Sequence, residues 1–139
     1  MGDLLVNLES LKNEEILEIL EKYLIAYDID EDGDIFLETP ARLYLEVNKE
    51  KGVLRMYGFI HYKNYPNKEE IPKFVEQINN GSYTISYTNI DNQSILCEYR
   101  LYLLGSISEV GLIKSIRKTE NELLRMKDAL LYVKQILEE

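Results

Sequence analysis

The chain has one cysteine, one histidine and no tryptophan among its 139 residues. A lone cysteine, Cys97, closes no internal disulfide, so nothing in the chain calls for an oxidising compartment. His61 and Cys97 cannot complete a zinc site unless carboxylates supply the remaining ligands. Long apolar runs are missing as well: no stretch approaches the ~20 residues that span a bilayer. The start, Met1-Gly-Asp-Leu-Leu-Val-Asn7, lacks the basic head and apolar run of a signal peptide and the Ser or Thr of a myristoylation site, so a cytoplasmic location is expected. Basic residues are in the minority, 16 against 25 acids, which leaves a net charge of −9. Nucleic-acid affinity rests largely on Lys and Arg displacing counterions, so neither nucleic acid nor an anionic membrane surface is an expected partner. The local exception, Lys114, Arg117 and Lys118, is followed at once by Glu120 and Glu122 and reads as a solvated face. A glycine-rich phosphate loop, a nucleophile elbow and a Ser-His-Asp set in suggestive context are absent too. Neither catalysis nor a cofactor is expected.

What the chain does contain is apolar periodicity. Its length is that of one domain, residues 1–139, able to bury a core without staples. Over residues 11–24, Ile16, Ile19, Leu20 and Tyr23 share one helical face, with Ser10 or Asn13 as cap and Glu14 and Glu15 where the helix dipole favours them. The first nine residues either extend this helix or form a short one. From Ala26 to Tyr62 the period falls to two, broken by Thr39-Pro40 and by the turn Asn48-Lys-Glu-Lys-Gly52, as in an antiparallel meander. A second helix is predicted over 67–79, with Asn67 and Glu70 as a capping box, Gly81 closing the end, and Pro72 pressing the start toward residue 70. Two strands follow, Tyr83–Thr88 and a run through Ile95, Cys97, Tyr99, Leu101 and Leu103. The last helix begins near Ser108, capped by Ser106 or Ser108, and repeats apolar residues at spacings of four and three to Leu137. The class is α+β, in α-β-β-β-α-β-β-α order.

The stretch Asp28-Ile-Asp-Glu-Asp-Gly-Asp-Ile-Phe-Leu-Glu38 resembles a calcium loop, with Asp28, Asp30, Asp32 and Asp34 as candidate ligands. The twelfth position, however, is Thr39 where a bidentate Glu is required, and Pro40 stands where the exit helix should begin. A hairpin is the simpler reading, because Asp32-Gly33 suits a mirror-image tight turn with positive φ. Metal is therefore not expected at this tip, and its carboxylates are the weaker alternative.

Alternation also assigns faces. If Leu43, Leu45, Leu54, Met56, Ile60, Ile95, Tyr99 and Leu101 face the helices, then Phe36, Tyr44, Arg55, Tyr57, Phe59, Arg100 and Tyr102 face away. Aromatics mixed with arginines are enriched at protein interfaces, although Tyr is also simply a good strand former. Cys97 alternates with inward residues and reads as a small buried apolar group. A final helix of about 27–31 residues would measure roughly 40–46 Å, beyond the ~37 Å expected for a domain of this size. Its seam of Leu123, Met126, Leu130, Val133 and Leu137 would then meet a second subunit, or the helix would kink at Gly111.

The element order, the segment Tyr27-Asp-Ile-Asp-Glu-Asp-Gly-Asp-Ile-Phe-Leu37 and the later Gly52-Val-Leu-Arg-Met-Tyr-Gly58 resemble the YbjN family, described as bacterial sensory-transduction-regulator-like, over roughly residues 10–135. That resemblance implies a two-layer sandwich of the type III secretion chaperone kind, an antiparallel sheet with helices on one face. It further implies a small, acidic, cytoplasmic and usually dimeric protein, and it carries over no catalytic residue. The expected function is a non-catalytic, chaperone-like or regulatory module that binds a protein or polypeptide partner through the sheet face and amphipathic helices. The alternatives are a small-ligand or metal-ion sensor built on the acidic hairpin, and a structural subunit of a larger assembly.

Overall fold

The computed structural model describes residues 4–37, 42–66, 68–81 and 85–131. In chain order the elements are β1 (Leu5–Asn7), a 3-10 turn (Leu8–Ser10), α1 (Asn13–Lys22), β2 (Tyr27–Ile29), β3 (Ile35–Leu37), β4 (Leu43–Asn48), β5 (Val53–His61), α2 (Ile71–Gly81), β6 (Ser86–Ile90), β7 (Ser94–Tyr102), β8 (Ser106–Ser108) and α3 (Glu109–Leu131). Strands β2 to β7 form one antiparallel sheet in the order β2-β3-β4-β5-β7-β6, and β1 pairs with β8 in a separate ribbon. The class is α+β, and the run before α2 holds four strands because the acidic hairpin adds β2 to the predicted three.

The core forms where the two periods meet. Inward residues Leu43, Leu45, Leu54, Met56, Ile60 and Ile95 are buried, and Tyr99 and Leu101 pack partly buried against them. The helices contribute Ile16, Ile19 and Leu20 from α1, Ile71, Phe74 and Val75 from α2, and Leu112, Ile116, Leu123, Met126 and Leu130 from α3. At the centre, Met56 is fully buried and receives the Thr119 hydroxyl at 3.8 Å on its sulfur. Cys97 lies in the same cluster, and burial pushes its thiol up to about 12.

Several local expectations need correction. The first residues form neither helix predicted for them. Leu5, Val6 and Asn7 pair with Ser108, Ile107 and Ser106, and Leu4 accepts the Glu109 backbone N–H at 2.8 Å. A three-residue strand is too short to show a period, and its partner lies about 100 residues away, so nothing local announces it. α1 begins after Lys12 without a side-chain cap, so neither Ser10 nor Asn13 plays that part. α2 starts at Ile71, which places Pro72 in the first turn, where its missing N–H is harmless. Asn67, Tyr83 and Pro40 lie outside the described residues.

The acidic hairpin is a turn of a different kind from the one predicted. Gly33 donates its backbone N–H to Asp30 at 3.0 Å and has φ +85°, whereas Glu31 and Asp32 are not among the positive-φ residues. This is a three-residue loop closed by a glycine bulge, not a mirror-image turn centred on Asp32-Gly33. The consecutive positive φ of such a turn occur instead at Asp91 and Asn92, between β6 and β7, where Gln93 N–H reaches the Ile90 carbonyl at 3.0 Å.

α3 is continuous from Glu109, so Gly111 does not break it. Ser108 caps the helix by accepting the Gly111 N–H at 2.9 Å, and a Cβ on Gly111 would stand 2.9 Å from that same hydroxyl and 3.3 Å from Ile107. Glycine there makes room for the cap. The 23 described residues give about 35 Å of helix, no longer than the domain.

The end of α1 is strained. Ile25 N–H bonds to Leu20 O at 2.9 Å and Leu24 N–H to Glu21 O at 3.1 Å, a Schellman closure that puts Leu24 at φ +56° where glycine is usual. Leu24 is 90% exposed and gains nothing from packing. Leu24→Gly should therefore raise stability by about 1 kcal/mol in urea unfolding; a loss would show that the leucine makes a compensating contact. The thiolate is the reactive form of cysteine. The buried Cys97 thiol should thus resist a thiol-specific disulfide reagent at pH 8 until urea unfolds the chain, and immediate labelling of the native protein would contradict its place in the core.

Candidate functional site: the outer face of the sheet

Because the helices cover one side, alternate residues of every strand are left on the other. Phe36 sits opposite Tyr44, and Tyr44 opposite Tyr57. Tyr57, Phe59 and His61 then follow one another along β5 at every second position. The five rings make a continuous ladder with centroid separations of 5.6, 5.3, 6.0 and 6.2 Å, tilted, stacked, edge-on and stacked in turn. Such ring pairs each add about 0.5–1.5 kcal/mol beyond the area they bury. Arg42 lies over Phe36 at 4.5 Å and Arg55 over Tyr57 at 4.2 Å. Burial and the nearby charges of Glu46 and Asp34 raise the Tyr57 pKa, so its hydroxyl stays protonated.

Beside the ladder is a charged half. Arg55 and Arg100 are direct cross-strand partners, an arrangement that is unfavourable for like charges. It is relieved by Glu98, whose side chain is only 3% exposed and which bonds Arg55 Nε through one oxygen and Arg100 through the other at 2.5 Å. Glu46 adds a second ion pair to Arg55 at 3.0 Å. Burial works against the Arg55 charge, but the hydrogen bond to Glu98 and the charges of Glu98 and Glu46 outweigh it and raise its pKa.

All seven residues predicted for this face do lie on it, but they are not equally open. Phe36 is buried at 6%, packed beside Tyr44 and Arg42, so it supports the ladder rather than offering a surface. Tyr44, Arg55 and Tyr57 are half-buried, and Phe59, Arg100 and Tyr102 are exposed. Sequence reasoning missed Glu98, Arg42 and His61. The signal for Glu98 was present, because an acid at an outward position two residues before Arg100 shares a face with it.

The other predicted groups fall elsewhere. Leu123, Met126 and Leu130 are buried in the chain's own core, and Val133 and Leu137 lie outside the described residues. The expected oligomer seam is therefore already occupied as far as Leu130. At the hairpin the carboxylates of Asp30, Asp32 and Asp34 lie within 4.8 Å of one another, and Asp28 is not among them. Asp30 already accepts the backbone N–H groups of Asp32 and Asp34 at 3.0 and 2.9 Å, which shapes the turn. Burial, then the charges of Asp30, Asp32 and Glu46, raise the Asp34 pKa. Among the described residues no helix is long and apolar enough to cross a membrane.

Glu98→Gln should cost about 2 kcal/mol in urea unfolding, below the usual loss for a broken buried pair because both arginines reach solvent. Adding Arg100→Gln should recover part of it by removing the opposed charge, and strictly additive losses would show the three side chains to be independent.

By sequence the chain matches no family model and no curated protein. By structure it is similar to the crystal structure of YbjN from E. coli, described as a candidate transcription regulator. The TM-score is 0.66 and the identity 11%, and the match covers 88% of this chain and 93% of that one. At that identity the similarity speaks for the fold, and the architecture expected from the acidic hairpin and the β5 segment is the one found. The chain has the YbjN fold.

Proposed function

We propose that this chain is a non-catalytic binding module, chaperone-like or regulatory, that holds a polypeptide partner on the outer face of its sheet. The observation that carries this reading is the ring ladder from Phe36 to His61. A sheet face turned to solvent is ordinarily polar, whereas this one carries five rings in mutual contact, with Phe59 40% exposed and, on β7, Tyr102 71% exposed. Open aromatics beside arginines match the composition of interface cores, and their few rotatable bonds keep the entropic cost of contact low. The description of YbjN as a regulator agrees with a binding role. The cytoplasm is the proposed setting, supported by a single cysteine that calls for no oxidising compartment. A homodimer remains part of the proposal, through surfaces other than Leu123, Met126 and Leu130.

Phe59→Ser with Tyr102→Ser removes the two ring contacts of Phe59 and should lower stability by about 1–3 kcal/mol in urea unfolding while leaving the chain folded. Affinity capture from native lysate should then lose at least one protein that the wild-type chain retains. An unchanged set of captured proteins from a folded double variant would remove the outer face from the proposal.

A further inference from the structure

At the end of the outer face away from His61, the turn between β4 and β5 meets the end of β7. Asn48, Lys51, Val53, Arg55, Arg100 and Tyr102 line a depression of about 510 Å³ there. On a chain of net charge −9, three cations converge on this one basin. Two carboxylates oppose them: Glu98 is shared between Arg55 and Arg100, and Glu46 is bound to Arg55. Three cations against two carboxylates leave one positive charge in excess. Arg55 is held on two sides by acids, so the unspent capacity belongs to the other two. Arg100 is 64% exposed in its side chain and gives one nitrogen to Glu98, and Lys51 makes no ion pair among the described residues.

The basin is also fixed in shape. Glu98, almost wholly buried, pins Arg55 and Arg100 across the β5–β7 ladder. Lys51 stands in a turn held by its backbone N–H on the Asn48 side chain at 3.0 Å and by Gly52 N–H on Lys49 O at 3.3 Å, with Gly52 at φ +68°. An arginine fork held in place by a buried acid, with a free ammonium across a small basin, suits an oxyanion that can take hydrogen bonds from both sides. Tyr102 supplies an exposed ring and hydroxyl at the rim.

We propose that Arg100, held in place by Glu98, and Lys51, placed by the β4–β5 turn, form a binding site for an oxyanion, a carboxylate or a phosphoryl group. The use of the site rests on reading the outer face as a binding surface, for it then specifies what the partner presents: an acidic group placed beside an apolar or aromatic one. Its chemistry is tested without any partner.

The experiment is an amide NMR titration of the full chain with glutarate and, separately, with inorganic phosphate, at an ionic strength held constant with sodium chloride. The site predicts saturable shifts at Lys51, Val53, Arg100 and Tyr102 with dissociation constants on the order of 1 mM. Arg100→Gln should weaken binding about tenfold or more, and Lys51→Gln, at an exposed turn position, several-fold, so a valid comparison survives even if the Arg100 variant loosens the sheet. A stronger response to glutarate assigns the carboxylate and a stronger response to phosphate the phosphoryl group, and either supports the site. Shifts that fail to saturate, that chloride alone reproduces, or that persist unchanged in the Lys51→Gln/Arg100→Gln pair would overturn it. Anion binding without loss of captured protein in a Phe59→Ser variant, which leaves the basin untouched, would retain this site while rejecting the ladder, and the converse would retain the ladder alone.

Discussion

A six-stranded antiparallel sheet with helices on one side has to write two surfaces into alternate residues of the same strands. That constraint governs most of what is observed here. Along β5, Leu54, Met56 and Ile60 enter the core while Arg55, Tyr57 and Phe59 cannot. A one-residue slip would exchange the two sets, and the nine cross-strand pairs between β5 and β7 fix that register. The same register therefore sets both faces, although the outer one contributes far less apolar burial.

Two devices stabilise that outer face. The ring ladder stacks across β3, β4 and β5 and continues along β5, so that Phe36 and Tyr44 are covered in part by their neighbours. The buried carboxylate of Glu98 resolves the opposed charges of Arg55 and Arg100. A pair of apolar residues at the same positions would serve stability at least as well, since buried ion pairs seldom exceed hydrophobic replacements. On the proposed reading the arginines belong to the surface that meets a partner.

Much of this could be read from the sequence, and the reasons for success and failure differ by element. The two-residue period over β4, β5 and β7 and the stripe of α3 were strong because each runs for several repeats. β1 and β8 were invisible because three residues show no period and their pairing is non-local. The acidic tip was rightly placed as a hairpin, yet its turn type depended on backbone angles that Asp32-Gly33 does not dictate by itself. The faces of the sheet followed from alternation, but the depth of Phe36 did not, because it depends on Arg42 and Tyr44 closing over it. The seam of α3 was legible as apolar; that the chain's own core uses Leu123, Met126 and Leu130 was not, since periodicity gives a buried face without naming what buries it.

The claim at the centre is that partners meet the chain on the uncovered side of the sheet and not on the helical layer. Photo-crosslinking decides between them: benzoylphenylalanine is placed at Phe59 on β5 or at Glu18, an exposed residue of α1, and each folded form is irradiated in native lysate. The account predicts discrete protein adducts from position 59 and none of the same mass from position 18. Adducts that form from position 18 alone would contradict it.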